Sequence, residues 1–102
     1  MAVEAKLSHS AAMILHAVHA GNVYGFSVME MTGLPSGTVY PALRRLERDL
    51  LVESKWEPEE KAAANQRPAR RYYEVTRAGK AAAVGATERY PLLAHLVPEK
   101  NS

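Results

Sequence analysis

The sequence predicts an α+β fold that is mostly helical: three helices, a two-stranded hairpin and a long C-terminal helix. Three observations carry this. Residues 36–49 place one apolar stripe and one basic side at helical spacing. Two short segments of strand character follow, Leu51 to Trp56 and Arg70 to Val75. A seam at heptad spacing, small at its start and bulky at its end, then runs from Gly79 to Val97.

The first helix is expected from about Ser10 to Ala20. Ser8 or Ser10 can cap it, and Gly21-Asn22 ends it. Ala11, Ile14, Leu15 and Val18 would form its core stripe. A second helix is expected from about Gly25 to Met31, stopped by Thr32-Gly33, with Phe26 and Met29 facing inward together. The connection from Thr32 to Pro35 is short, as a helix-turn-helix requires.

The third helix starts at a Ser36 cap and ends near Asp49. At ~100° per residue, Val39, Leu43, Leu46 and Leu50 fall in one narrow stripe. Gly37, Pro41, Arg44 and Arg48 fall on the opposite side, with Thr38 and Arg45 on one edge and Tyr40 on the other. Pro41 lies deep enough to remove one hydrogen bond to the Gly37 carbonyl. Either it marks a functional position, or the first turn is tighter than this placement.

Leu51–Trp56 reads as a strand with Val52 and Trp56 on one face, and Arg70–Val75 as its partner with Tyr73 and Val75 together. The polar segment between them, Glu57 to Ala69, reads as a loop that is mobile in its middle. A strand, a loop and a strand after a helix-turn-helix make a winged helix-turn-helix. Thr76 can cap the last helix, expected from Arg77 to about Val97. Its seam of Gly79, Ala83, Ala86, Tyr90, Leu93 and Val97 is long enough to pack on another helix. Gly79, Gly85 and Pro91 weaken it, so it needs a partner. We therefore expect residues 1–76 to form the winged unit, and 77–102 a dimerisation helix and tail.

A chain of 102 residues holds one domain with a modest core. It has no cysteine, which removes disulfides, thiolate metal sites and cysteine nucleophiles. No apolar run approaches the ~20 residues of a membrane span, and the N-terminus lacks a signal-peptide layout. A cytoplasmic protein is expected. No glycine-rich phosphate loop or nucleophile elbow is present, so an enzyme is not expected. His9, His16 and His19 lie opposite the core stripe of the first helix. They lack the further ligands a metal site needs, so neither metal nor cofactor is expected.

Net charge is only +2, but its placement is uneven. Arg67, Arg70, Arg71, Arg77 and Lys80 face a single acid, Glu74, between Gln66 and Lys80. A local basic cluster on a nearly balanced chain suits a polyanion, or else is solvated charge around a loop. A short helix anchored by leucines and showing Arg, Thr, Tyr and Gly outward is what a DNA major groove admits. Arg44 and Arg45 can reach phosphates or guanine edges. Ser36, Thr38 and Tyr40 sit at the helix N-terminus, where free N–H groups favour phosphate. Arg67, Arg70 and Arg71 belong to the wing.

The run Ser36-Gly37-Thr38-Val39-Tyr40-Pro41-Ala42-Leu43-Arg44-Arg45-Leu46-Glu47 resembles the recognition helix of PadR-type transcriptional regulators. Tyr24-Gly25-Phe26 resembles that family's aromatic-Gly-aromatic turn. Arg67 to Gly79 resembles its wing and return strand, ending in the Thr-x-x-Gly start of the next helix. The chain departs at Pro35-Ser36, where Ser-Pro is usual, and at Gln66, where the wing usually has Gly. The resemblance implies double-stranded DNA as partner, repression, and a homodimer through Ala83, Ala86, Tyr90, Leu93 and Val97. It also makes a small hydrophobic or aromatic effector a candidate partner. The C-terminal region resembles the small class with one C-terminal helix. The alternative is a winged-helix protein-interaction module with weak or no DNA binding. The two part on whether the Arg44/Arg45 side and the Arg67–Arg71 side converge on one face, which favours DNA, or Glu57, Glu59 and Glu60 fold over that face, which favours the interaction module.

Overall fold

The structure is a computed structural model and describes residues 7–95. It is mostly helical, with one two-stranded antiparallel sheet. Helix α1 (His9–His19) starts at Ser8, whose hydroxyl accepts the Ala11 N–H at 3.1 Å. It buries Ala12, Ile14, Leu15, Ala17 and Val18. This is wider than the expected stripe because α2, α3, α5 and the sheet all pack around it.

Helix α2 (Gly25–Thr32) ends at Gly33, whose φ of 76° needs glycine. It turns Val28 into the core and leaves Phe26 61% exposed. The expected inward pairing of Phe26 and Met29 therefore fails at Phe26. Burying Val28 forces this, since Phe26 lies about 200° away at ~100° per residue.

Helix α3 (Ser36–Arg48) buries Val39, Ala42, Leu43 and Leu46. Its N-cap is Pro35, not Ser36: the Pro35 carbonyl accepts the Thr38 and Val39 N–H groups at 2.9 and 3.0 Å. Pro35 has no side-chain acceptor to offer, so no side chain caps this helix. At the other end Leu50 leaves the expected stripe. It adopts φ 63° and is 73% exposed. Its N–H donates to the Glu47 carbonyl and that of Leu51 to the Leu46 carbonyl, a Schellman closure.

Strand β1 (Val52–Trp56) pairs antiparallel with β2 (Arg71–Val75), setting Val52 opposite Val75, Ser54 opposite Tyr73 and Trp56 opposite Arg71. Val52 and Tyr73 are buried, whereas Trp56 extends beyond the core and is 63% exposed. The Tyr73 N–H donates to the Val23 carbonyl at 2.8 Å, and Tyr24 bridges to Tyr72. The approach to α2 is thereby held along β2.

The segment expected as a loop holds helix α4 (Glu59–Ala64). Pro58 opens it, Glu59 and Glu60 occupy the dipole-favoured first turn, and Lys61 with three alanines completes it. Its ends are joined: the Glu57 N–H donates to the Arg70 carbonyl at 2.8 Å.

Helix α5 (Arg77–Arg89) begins at Thr76, whose hydroxyl accepts the Gly79 N–H and donates to the Leu50 carbonyl. It stops well short of the expected Val97. Pro91 disfavours helical backbone at Tyr90 and starts a 3₁₀ turn, Pro91–His95. Val97 lies outside the described residues. The expected dimer seam is filled within one chain. Ala83 joins the main core, and Ala86 and Leu93 pack on Ala12 with Leu7, Met13 and Tyr90 around them. The seam does find a helix to pack on, and that helix is α1.

Candidate nucleic-acid interface

The solvent side of α3 presents Tyr40, Arg44 and Glu47 at spacings of four and three, so they share a ridge. The ridge meets the sheet at Glu47, which accepts from Ser54 of β1 and lies near Arg71 of β2. Burial raises the pKa of the Tyr73 hydroxyl; the Arg71 and Arg44 charges oppose that shift, and Glu47 and Tyr40 add to it.

Arg71 is held from three sides. Its Nε donates to the Ser54 hydroxyl at 3.0 Å, its guanidinium lies 5.5 Å from the Trp56 ring centroid, and Nη2 is 3.9 Å from Glu47. Ser54 in turn donates to the Glu47 carboxylate at 2.6 Å. Arg70 lies over the Tyr24 ring, 4.9 Å from its centroid. Tyr24, Gly25, Phe26, Tyr40, Arg70 and Arg71 line one open cleft of about 190 Å³. Gly25 has to be glycine for Tyr40 to lie there, since an added Cβ would meet the ring at 2.5 Å.

Of the residues expected to bind DNA, the structure brings Tyr40, Arg70 and Arg71 together in this cleft; Arg44 is exposed one turn along α3 from Tyr40. Ser36 is exposed at the uncapped start of α3, and Thr38 is half-buried in the same first turn. Arg45 is exposed on a different side. With Leu7, Ser8, Ala11, Ala42, Leu46 and Asp49 it lines a separate hollow of about 250 Å³ against α1. Arg48 pairs loosely with Asp49 at 3.6 Å.

Arg67 turns inward. It donates two hydrogen bonds to the Glu57 carboxylate, at 2.5 and 2.8 Å. Glu57 is only 3% exposed and also accepts the Arg70 backbone N–H at 3.2 Å. The Arg67 hydrogen bonds, helped by the Arg70 N–H, hold its carboxyl at about 2 against the burial that opposes them. The same pairing raises the Arg67 pKa. This guanidinium is committed to closing the wing, not to facing outward.

The residue reading missed Phe26, Ser54 and Trp56 at this surface. The aromatic flanks of Gly25 were the available signal for Phe26. His9 packs edge-on to Tyr90 with centroids 5.0 Å apart, on the far helix pair. Among the described residues no three His, Cys, Asp or Glu side chains group to hold a metal ion. None of the helices among them is long and apolar enough to cross a membrane.

Residues 14–84 match the model of the transcriptional regulator PadR-like family. The chain belongs to that family. It is a winged-helix DNA-binding regulator by membership, and the proteins it resembles are transcription regulators. Similar solved structures include a PadR family transcription regulator from hypervirulent Clostridium difficile, 21% identical over 87% of this chain and 94% of that one, with TM-score 0.70. A PadR-like transcription factor from Bacteroides fragilis is 23% identical over 83% and 82%, with TM-score 0.66. A PadR-like transcriptional regulator from Bacillus cereus is 21% identical over 83% and 84%, with TM-score 0.63. These likenesses establish the PadR-like winged fold. No curated protein matches the chain.

Proposed function

We propose that this PadR-like chain represses transcription by binding a pseudo-palindromic operator as a homodimer in the cytoplasm. The observation that carries the reading is the meeting of Arg70 and Arg71 with Tyr40 of α3 in one cleft, with Arg44 exposed one turn further along the same ridge. Arg44 enters a major groove with α3, and Arg70 and Arg71 take the adjacent backbone. The uncapped first turn at Ser36 and Thr38 offers N–H groups to a phosphate. Glu57 is turned into the wing and not over this face, which supports DNA over the protein-interaction alternative, while Arg45 and Arg67 lie off the face.

The winged unit of residues 1–76 carries the DNA face, and residues 77–102 carry dimerisation. With Ala83, Ala86 and Leu93 filled by α1, the dimer uses the outward face of the C-terminal segment. Val84 at 56% and Leu92 at 76% exposure supply its apolar surface. Two-fold symmetry sets half-sites about one helical turn, or a multiple, apart.

Fluorescence anisotropy tests this with the duplex upstream of the protein's own coding sequence and a scrambled duplex, over a salt series. Tighter binding of the upstream duplex, falling steeply with salt through counterion release, is expected. Weak and equal binding of both at low salt would defeat the reading for that site.

A further inference from the structure

The cleft beside Tyr40 has two unlike walls. Arg70 and Arg71 form one: the Arg70 guanidinium lies over the Tyr24 ring, and that of Arg71 is held by Ser54, Trp56 and Glu47. Phe26 and the exposed edge of Tyr40 form the other, and the described residues leave Phe26 61% exposed. A large exposed apolar ring beside fixed charge marks a binding surface. Guanidiniums already held in place lose little side-chain freedom on meeting an anion.

We infer that this cleft binds one nucleotide unit of the DNA backbone: Arg70 and Arg71 take the phosphate, and the Phe26 ring covers the deoxyribose. The inference rests on the DNA reading and adds to it a neutral contact from α2. A deoxyribose-phosphate is anionic at one end and apolar at the other, as the two walls are. The cleft is also continuous with the Tyr40–Arg44 ridge, so a strand engaged by α3 passes it. A free aromatic anion has a similar split character, but needs no such continuity.

The chemistry makes the contact separable from the charges. Losing an arginine–phosphate contact lowers the salt slope, whereas losing an apolar contact does not. In anisotropy titrations with the upstream and scrambled duplexes, Phe26→Ala should weaken both by about fivefold, the effect of withdrawing part of a phenyl ring from burial. Its salt slope should match that of the unaltered protein. Arg70→Ala and Arg71→Ala should each lower the slope, and Phe26→Leu should recover most of the affinity. Phe26 is largely outside the core, and a matching thermal melt confirms that folding is unchanged.

Unaltered binding by Phe26→Ala overturns the inference while leaving the DNA reading in place. So does a loss confined to the upstream duplex, which would make Phe26 a base reader. If Phe26→Ala binds DNA normally but loses a benzoate-induced shift of the Tyr40 ring resonances, the cleft belongs to a free aromatic anion. Failure of the unaltered protein to bind either duplex at low salt removes the DNA reading and this inference together.

Discussion

Gly25 lies directly beneath the Tyr40 ring: a Cβ on Gly25 would fall 2.5 Å from the Tyr40 Cζ and Oη. The first residue of α2 thus sets the position of a side chain on α3, at the edge of the basic face. Gly25 has no positive φ, so its smallness is what the site uses.

Gly25→Ala should therefore displace Tyr40 without unfolding the chain, because alanine is the better helix former. DNA affinity should fall about fivefold, the worth of roughly one hydrogen bond. Anisotropy measures the affinity, and the Tyr40 ring resonances report the movement.

Gly79 is a different case. A Cβ there would collide with the Leu51 carbonyl, which is backbone and cannot yield. Gly79→Ala should cost about 2–3 kcal/mol, at the upper end for overpacking. Gly85 has nothing within 4 Å of the same added atom, so Gly85→Ala should stabilise by about 0.5–1 kcal/mol. Urea denaturation of the two variants makes the comparison.

Leu50 holds φ 63° with its side chain 73% exposed. The strain of a left-handed non-glycine residue is paid here without compensating burial. Leu50→Gly should raise stability by about 1 kcal/mol, measured by the same denaturation series.

Glu57 and Arg67 predict an acid transition. The Glu57 carboxyl, ordinarily near 4.5, is held at about 2 in the folded chain. A depressed carboxylate stabilises the fold fully above its ordinary value and loses that effect as pH falls through its folded value. Thermal melts should show this loss between pH 4.5 and about 2. Glu57→Gln should flatten the profile there, and Arg67→Ala should speed amide exchange across Glu59–Ala64.

The parts legible in the sequence were those with several turns of period. Val39, Leu43 and Leu46 oriented α3 correctly, and so placed Arg44 outward. The Thr76-x-x-Gly79 pattern is explained by a hydroxyl cap and a close approach to Leu51. The seam of Ala83, Ala86 and Leu93 announced that α5 packs on a helix. Periodicity cannot say which helix, and Ala12 of the same chain fills it. Arg67 meets Glu57 ten residues earlier only because the wing closes on itself. Helix α4 spans six residues, too few for a periodic signal, although Pro58 and the acids after it were N-terminal cues. Phe26 faces out because a two-turn helix leaves its rotation to the packing of Val28.

Amide chemical-shift mapping, with the protein titrated with the duplex upstream of its own coding sequence, shows which face of the protein meets DNA. The largest shifts should fall at Ser36–Arg44 and at Arg70 and Arg71, with Glu59–Ala64 and the α1 wall of the hollow beside Arg45 (Leu7, Ser8 and Ala11) unmoved. Shifts centred on α4 or on the outward face of α5, with α3 silent, would contradict the DNA reading.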